Sequence, residues 1–326
     1  MIDANLLKNN VAEIVTEEEL NSLMKSKKKP VTYCGYEVSG PVHIGTLVAI
    51  NKQIELQKAG LEVKVLFADV HTMLNRKGSE DWINNMTEYW KTCFEGVGLK
   101  TEFTRGSEFQ FNEEYVKDVL EIGLKTTLNR ALRSMQEVAR DIENAHVSQV
   151  IYPLMQIADI KALGVDIAHG GMEQRKIHML AREVLPQLGC KAPVCLHTPL
   201  LCSLQGPGSK MSSSKPETMI AVDDAPDVIR DKIRGAFCPA EKEGNPVLDI
   251  CELILFSKLG EVIVVRPDKF GGNVTYGSYA ALESDYLGRK LHAADLKNTV
   301  AEELVKMLEP VRDMLEKRGV EYIKPE

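Results

Sequence analysis

The stretch VTYCGYEVSGPVHIGTLVAINKQIELQKAGLEVKVLFA, residues 31–68, decides the fold. It begins with a β-branched and aromatic run, residues 31–36, that is typical of a strand. After a turn at residues 39–41, apolar residues recur every three or four positions up to Gly60, which predicts a helix. Residues 61–68 are again strand-like. Strand, helix and strand in succession indicate a βαβ unit, and therefore an α/β fold with a doubly wound parallel sheet and helices on both faces.

The same alternation continues along the chain. It predicts helices over 79–97, 113–143 and 172–188 and strands over 101–104 and 165–168. Residues 203–218, SLQGPGSKMSSSKPET, are rich in Gly, Ser, Pro and Lys and almost lack large apolar groups. They predict a mobile surface loop.

Beyond Asp223 the pattern becomes mostly helical. Helices are predicted over 229–237, 250–259 and 293–319, with one short strand over 262–265. The length of 326 residues also exceeds that of one minimal domain. We therefore predict a Rossmann-type domain over residues 1–223 and a mostly helical C-terminal domain over residues 224–326.

The composition limits the class of protein. Hydrophobic residues make up 44% of the chain and charged residues 27%, as in ordinary folded domains. No run approaches the roughly 18 apolar residues that a bilayer span needs, and the N-terminus lacks a basic region followed by an apolar one, so we expect neither a membrane protein nor a secreted one. The seven scattered cysteines contain no C-x-x-C pair, which argues against a structural metal site and favours the cytoplasm. The net charge of −7 restricts any nucleic-acid surface to a local basic patch.

Two short motifs carry chemical information. The first is His43-Ile44-Gly45-Thr46, at the turn from the first strand of the βαβ unit into its helix. A helix N-terminus at such a turn offers unpaired backbone N–H groups to a phosphate, and a glycine there lets the ligand approach closely. The alternative for this motif alone is a buried histidine beside an ordinary turn glycine.

The second motif is KMSSSK, residues 210–215, inside the predicted loop. Its lysines and hydroxyl groups could close over a triphosphate and stabilise the charge that develops as pyrophosphate leaves. The alternative is a serine-rich linker. Each motif alone is weak evidence, but both on one α/β chain favour a nucleotide site.

With these motifs the sequence resembles the class I aminoacyl-tRNA synthetases, and more narrowly the tyrosyl family of the archaeal and eukaryotic branch. The resemblance extends over nearly the whole chain. It includes the strings YCGYE (33–37), LFADVH (66–71), GSEFQ (106–110), VIYP (150–153), GGMEQRK (170–176) and KMSSS (210–214). Thr46 departs from the family, whose first motif usually ends in histidine, and the contribution of this position to ATP binding is therefore open.

The resemblance implies a pocket for L-tyrosine. It places Tyr33 and Asp159 at the phenol hydroxyl, and Tyr152, Gln156 and Gln174 at the α-ammonium group, with Gly35 and Glu37 lining the same pocket. Tyr152, Gln156 and Asp159 stand at i, i+4 and i+7, so they share one face if their segment is helical. The alternative is a helix with two polar surface residues. For His71, a place in the pocket wall and an ordinary core position are both open.

The resemblance also implies ATP as a substrate, with Mg²⁺ bridging its phosphates. The first motif and the loop would bind ATP and stabilise the transition state through His43, Gly45, Thr46, Lys210, Met211, Ser212, Ser213 and Ser214. The tyrosine carboxylate would attack the α-phosphorus, and a hydroxyl at the 3′ end of tRNA(Tyr) would then displace AMP.

For tRNA the resemblance implies contacts at the acceptor stem and at the anticodon. It assigns Arg133 and Arg175 to the former and Phe270, His292 and Asp295 to the latter, although Phe270 could instead cap the core of the small domain. A homodimer is implied, with its interface in a helical insertion over about residues 109–151. The alternatives are a tryptophanyl-tRNA synthetase and a catalytically inactive paralogue that binds RNA or protein. An indole N–H needs one acceptor, whereas Tyr33 and Asp159 suit a hydroxyl.

Overall fold

The computed structural model describes residues 4–136, 144, 146–208, 211, 212 and 215–325. The strands in chain order are β1 (Glu13–Val15), β2 (Val31–Tyr36), β3 (Glu62–Phe67), β4 (Glu102–Arg105), β5 (Ile167–Gly171), β6 (Val194–Thr198), β7 (Val262–Val264) and β8 (Val274–Tyr276). The helices are α1 (Ala4–Lys8), α2 (Glu17–Ser26), α3 (Ile44–Lys58), α4 (Asp69–Leu74), α5 (Glu80–Val97), α6 (Glu113–Lys125), α7 (Leu128–Ser134), α8 (Val147–Ala162), α9 (Arg175–Val184), α10 (Pro226–Gly235), α11 (Pro246–Ile250), α12 (Ser257–Leu259), α13 (Tyr279–Leu287) and α14 (Ala293–Arg318).

The main sheet confirms the predicted doubly wound architecture. Its order is β1-β6-β5-β2-β3-β4, and all neighbours are parallel except β1, which pairs antiparallel with β6 at one edge. The sequence analysis missed β1 and β6. The chain order reverses between β2 and β5, so a crevice opens between the carboxyl ends of these two strands.

Alternate side chains of the strands face two different layers of helices. Cys34 and Tyr36 of β2 pack in one apolar cluster with α3 and α5, whereas Tyr33 packs in another with α6, α8 and α9. This alternation follows from the two-residue period of a strand. It places Tyr33 beside α8, the helix that carries Asp159.

One predicted helix was wrong in its extent. The region predicted as a single helix over 113–143 contains α6 and α7, and its last residues, 137–143, lie outside the described residues. The break follows Lys125: Thr126 is extended, and the Thr127 side chain accepts from the Arg130 N–H as the N-cap of α7. Threonine competes with helix continuation by this kind of local bond.

The C-terminal region is mostly helical, as predicted, and it packs directly on the sheet domain. A π-helical turn, Cys251–Phe256, joins α11 to α12, and β7 and β8 form a hairpin. The helix α14 packs against α5 and α10, and one apolar cluster contains both Trp82 and Leu315. The boundary at residue 223 stays a prediction.

Within the described residues, the structure contains no helix that combines the length and the apolar character needed to span a bilayer.

Candidate active site

A cleft opens at the carboxyl ends of β2, β5 and β6, at the crevice that the sheet order creates. Its volume is about 260 Å³. It is lined by residues from both sequence motifs, from the ends of three strands (β2, β5 and β6) and from the helices α3 and α5: Cys34, Gly35, Tyr36, His43, Gly45, Thr46, Ala49, Trp90, Gly170, Gly171, Glu173, Gln174, Thr198, Pro199, Leu200, Leu201, Met211 and Ser212. The structure therefore brings the described parts of the two motifs together, as predicted.

His43 shapes the turn at the start of α3. It is the N-cap, and its Nδ1 accepts from the Gly45 N–H at 3.1 Å. In the neutral ring the hydrogen then resides on Nε2. A Cβ atom at residue 45 would lie 2.8 Å from the His43 Cε1 atom, so only glycine leaves room for the imidazole. His43 is half-buried rather than a core histidine.

The second motif is tied to the first by backbone pairing. The Ile44 N–H donates to the Ile220 carbonyl and the Val222 N–H to the Val42 carbonyl, each at 2.9 Å. The segment that leaves the loop therefore runs antiparallel to the turn that carries His43. This pairing fixes where the loop returns to the domain.

Inside the loop, Met211 is an anchor. It is buried, and its N–H donates to the Leu201 carbonyl at 3.2 Å. Its Cβ lies 3.7 Å from the position a Cβ on Gly45 would take. Ser212 follows at the rim of the cleft. Lys210, Ser213 and Ser214 lie outside the described residues, so their predicted roles stay predictions.

A second, deeper group of polar side chains surrounds Asp159 in the last turn of α8. Asp159 Oδ1 accepts from Gln110 Nε2 and from the Tyr115 hydroxyl, both at 2.7 Å. Burial raises the pKa of the Asp159 carboxyl to about 7, against these two hydrogen bonds, which lower it. Tyr33, 1% exposed, has no hydrogen-bond partner for its hydroxyl among the described residues. Burial and then the charge of Asp159 raise its pKa.

His71 completes this group. Its Nε2 lies 3.8 Å from Asp159 Oδ2, and its ring contacts the Tyr152 ring edge-on at a centroid distance of 4.5 Å. Burial lowers the pKa of His71 to about 4, so the ring is neutral at pH 7. Neither ring nitrogen has a hydrogen-bond partner among the described residues. These contacts favour the pocket wall over an ordinary core position.

The residues predicted at the α-ammonium group lie together, with Tyr152 and Gln156 on the N-terminal side of Asp159 in α8. Gln156 Nε2 donates to Gln174 Oε1 at 3.1 Å. Burial and then the charge of Glu37 raise the pKa of Tyr152, so these two side chains are neighbours. Glu37 itself accepts from Asn75 Nδ2 at 2.5 Å. The predicted helix with Tyr152, Gln156 and Asp159 on one face is confirmed.

The sequence analysis missed three polar residues of the site. Gln110 and Tyr115 come from segments more than 40 positions before Asp159, and only the fold brings them to it. Glu173 lines the cleft, and its Oε2 is buried without a hydrogen-bond partner among the described residues. Gln110 and Glu173 lie inside the strings GSEFQ and GGMEQRK, which was the available signal.

The residues predicted to contact tRNA lie in several different elements. Arg175 donates three hydrogen bonds to Glu13 of β1, at 2.7, 2.9 and 3.0 Å, whereas Arg133 is exposed in the last turn of α7. Phe270 is 61% exposed, so it does not cap the core of the small domain. His292 is the exposed N-cap of α14, and Asp295 lies in the first turn of that helix.

No group of three or more His, Cys, Asp or Glu residues suited to a metal ion occurs in the part of the chain that the structure describes.

Comparison with known proteins agrees with this geometry. The family model for class I tRNA synthetases (W and Y) matches residues 24–309. The tyrosine--tRNA ligase of Methanopyrus kandleri is 52% identical over 311 residues, which are 94% of this chain and 95% of the relative. That of Methanocaldococcus jannaschii is 50% identical, over 97% of this chain and the full length of the relative.

A solved structure shows the same fold. The tyrosyl-tRNA synthetase of Archaeoglobus fulgidus, in complex with L-tyrosine, superposes with a TM-score of 0.92 and 48% identity, over 95% of this chain and 98% of the other. The chain therefore belongs to the class I tRNA synthetases of the W and Y family, and within it to the tyrosyl-tRNA synthetases of the archaeal type.

Proposed function

We propose that the chain activates L-tyrosine with ATP to tyrosyl-adenylate and transfers the tyrosyl group to the 3′ end of tRNA(Tyr). The observation that carries the proposal is the buried pair of the Tyr33 hydroxyl and the Asp159 carboxyl beside the cleft. A buried hydroxyl without a partner is costly unless a ligand supplies one. A phenol can accept from Tyr33 and donate to Asp159 at the same time.

The α-ammonium end of the ligand fits polar groups that lie one helical turn or more from Asp159. The amide oxygens of Gln156 and Gln174, the Tyr152 hydroxyl and the Glu37 carboxylate can accept from an α-ammonium group, which has three donors. Gly35 lines the cleft next to this pocket, and a Cβ there would come within ordinary contact of the Tyr33 ring.

The cleft would hold ATP. The N-terminus of α3, with Gly45 and the Nε2–H of His43, suits the phosphates, and the Thr46 hydroxyl can add one donor. The buried Oε2 of Glu173 suits the hydroxyl groups of a ribose, since an ionised carboxylate only accepts. We expect the remaining residues of the second motif to lie over the triphosphate, since they adjoin Met211 and Ser212 in the sequence; they are Lys210, Ser213 and Ser214.

The reaction needs positioning more than acid–base chemistry. The tyrosine carboxylate is already an anion when it attacks the α-phosphorus, and the leaving pyrophosphate needs only charge stabilisation. The helix N-terminus and the Lys210 ammonium group would supply it, with Mg²⁺ carried on the phosphates as part of the substrate. In the second step a hydroxyl at the 3′ end of tRNA attacks the carbonyl carbon of tyrosyl-adenylate. The new ester bond forms as the bond from this carbon to the phosphate oxygen breaks, and AMP leaves.

Transfer to tRNA requires contacts outside the cleft. Exposed Phe270 offers a surface on which an anticodon base can stack, and His292 and Asp295 offer polar groups to base edges. Arg133 is exposed and can meet a phosphate, whereas Arg175 would have to exchange its ion pair with Glu13 for one.

A homodimer fits the exposed apolar side of the insertion. Large hydrophobic side chains of α6 and its flanks are exposed there, namely Phe111, Val116, Leu120, Leu124, Leu128 and Val147. Such a face marks a protein interface, and a second copy would cover it. Sedimentation analysis of the wild type and of Leu124→Lys would test this: a dimer that becomes a monomer is expected.

The experiment that tests the activity is ATP–pyrophosphate exchange with each of the twenty amino acids. The strongest exchange is expected with tyrosine. Strongest exchange with tryptophan or phenylalanine would refute the pocket assignment, and no exchange with any amino acid would identify an inactive paralogue.

A further inference from the structure

Three histidines are buried next to the proposed amino-acid site, and the proposed reaction uses none of them. His169 is in β5, His178 is in α9 and His197 is in β6, and each is at most 1% exposed. The rings of His178 and His197 lie edge to edge, with centroids 5.2 Å apart and planes 23° from parallel. Gly170 of β5 faces α9, and successive residues of a strand face opposite sides of the sheet. His169, the residue before it, therefore extends from the opposite face of β5.

Hydrogen bonds join two of these rings to the edge of the sheet. Glu13 Oε2 lies 3.0 Å from His197 Nδ1, and His197 Nε2 lies 3.0 Å from His178 Nδ1. A carboxylate only accepts, so His197 donates from Nδ1 and accepts at Nε2 from His178 Nδ1–H. Arg175 holds the other side of the Glu13 carboxylate. The chain of hydrogen bonds therefore has one direction.

The charge state of the rings agrees with this order. Burial lowers the pKa of both His178 and His197, so both rings are neutral at pH 7. Each neutral ring then has one N–H group. In the order Glu13, His197, His178 this group is on Nδ1 of both rings, so each ring has a single tautomer. A second proton on His197 would place two N–H groups against each other.

The inner end of this chain lies beneath Gln174. His178 and Gln174 stand at i and i+4, one helical turn apart on the same side. Both pack over Gly170: a Cβ there would lie 2.9 Å from Gln174 Cγ and 3.4 Å from His178 Cε1. The orientation of the His178 ring therefore limits where the Gln174 side chain can lie.

We propose that Glu13, His197 and His178 form a positioning relay that holds Gln174 in the orientation that binds the α-ammonium group of tyrosine. The relay rests on the proposed function of the pocket. It makes the edge strand β1, far from the ligand in sequence and in the sheet, part of the amino-acid site. It also predicts that the effect of a broken relay falls on tyrosine binding and not on ATP binding.

The test compares two substitutions at His197. His197→Phe keeps a ring but removes both hydrogen bonds, whereas the amide of His197→Gln can donate to Glu13 and accept from His178. In ATP–pyrophosphate exchange, His197→Phe should raise the KM for tyrosine about 10-fold, the effect of roughly one hydrogen bond to a charged ligand, and leave kcat and the KM for ATP within about 2-fold. His197→Gln should recover most of that loss.

His169→Phe is the matched control, since it changes a buried histidine on the opposite face of the same sheet, outside the relay. It should leave the KM for tyrosine unchanged. Should His197→Phe fail to fold in a thermal melt, Glu13→Gln at the half-buried end of the relay replaces it, with an expected rise of about 3-fold.

A wild-type KM for tyrosine in the foldable variant would overturn the relay, and so would equal losses for tyrosine and ATP. If the wild type shows no tyrosine-dependent exchange at all, the proposed function itself fails, which separates the two conclusions.

Discussion

The two ends of the site are built in different ways. At the phenol end, Tyr33 lies in the middle of β2 and Asp159 in the last turn of α8, and each is 1% exposed. Gln110 and Tyr115 donate hydrogen bonds to the Asp159 carboxylate. At the phosphate end, His43 and Thr46 are half-buried at a turn, and the second motif lies in a loop anchored through Met211.

The difference follows from the task of each end. Rejecting phenylalanine requires buried polar groups that lose a partner when the hydroxyl is absent, and tyrosyl-tRNA synthetase is itself the standard example of this effect. Such groups must be rigid and dry. Stabilising charge on a departing pyrophosphate requires cations that meet the ligand during the reaction, which suits a loop on a rigid scaffold.

The largest expected effect is at the phosphate end. Lys210→Ala should lower the rate of adenylate formation on the order of 100-fold or more, because it removes a cation that acts on charge in the transition state. Tyrosine binding should not change. Single-turnover kinetics with titrated tyrosine would measure both quantities.

Lys215→Ala is the comparison for this variant, since Lys215 is exposed in the same segment. A much smaller effect is expected. Equal losses in the two variants, or a loss only in tyrosine affinity, would contradict the assigned role of Lys210.

Asp159→Asn should produce the next largest effect, and at the other end. The amide retains the volume but not the charge, so the preference for tyrosine over phenylalanine should fall on the order of 10- to 100-fold. The KM for ATP should stay the same. Asp118→Asn serves as control, since this carboxylate is also buried beside α8 but pairs with Lys161. An unchanged preference for tyrosine over phenylalanine in Asp159→Asn would refute the assignment of Asp159 to the phenol hydroxyl.

Asp159→Asn should also be more stable than the wild type at high pH. Burial raises the pKa of Asp159 from its ordinary value of 3.8 to about 7, so the folded chain holds this proton more tightly than the unfolded chain does. Ionising it therefore lowers the free energy of unfolding as the pH rises from about 4 to 7, by up to about 4 kcal/mol. Asparagine avoids this cost.

Thermal melts would show the effect as a gain in Tm for Asp159→Asn at pH 8 that shrinks towards pH 5. An equal gain at both pH values would mean that the effect comes from packing and not from the proton. A gain would also show that the specificity of the phenol end is retained at a cost in stability.

The sequence predicted the phosphate end better than the phenol end. Local patterns sufficed for β2, the turn at His43 and α3, since strand, cap and helix periodicity all lie within 30 residues. The antiparallel pairing of residues 42–44 with 220–222 has no local signal, but the two motifs themselves indicated that these regions meet.

The phenol end depends on contacts across the fold. Gln110 and Tyr115 reach Asp159 only because a strand, a turn and a helix bring them there, and neither has a residue type that signals a site. The sequence analysis missed β1 and β6 because they are only three and five residues long and therefore carry little periodicity. With β1, the relay from Glu13 was also beyond the reach of the sequence.

Gly45→Ala tests a close contact that only the structure reveals. The added methyl group would meet the His43 ring at 2.8 Å and push it out of the cap position. The KM for ATP should rise about 10-fold while that for tyrosine stays the same, because one cap and one phosphate contact are lost. Since alanine favours helix more than glycine, the Tm should not fall by much. A larger change in the KM for tyrosine would show that the two ends are not separable.

Thr46→His gives the smallest expected effect. Position 46 lines the cleft and is half-buried in the first turn of α3, where its N–H donates to the His43 carbonyl at 2.8 Å. An imidazole there can replace the one hydroxyl donor, so the rate of ATP–pyrophosphate exchange should stay within about 3-fold of wild type. Thr46→Val, which removes the donor at equal volume, is the control and should be the slower of the two. A folded but inactive Thr46→His would show that the side-chain volume at position 46, and not its hydrogen bonding, controls ATP binding at the phosphate end.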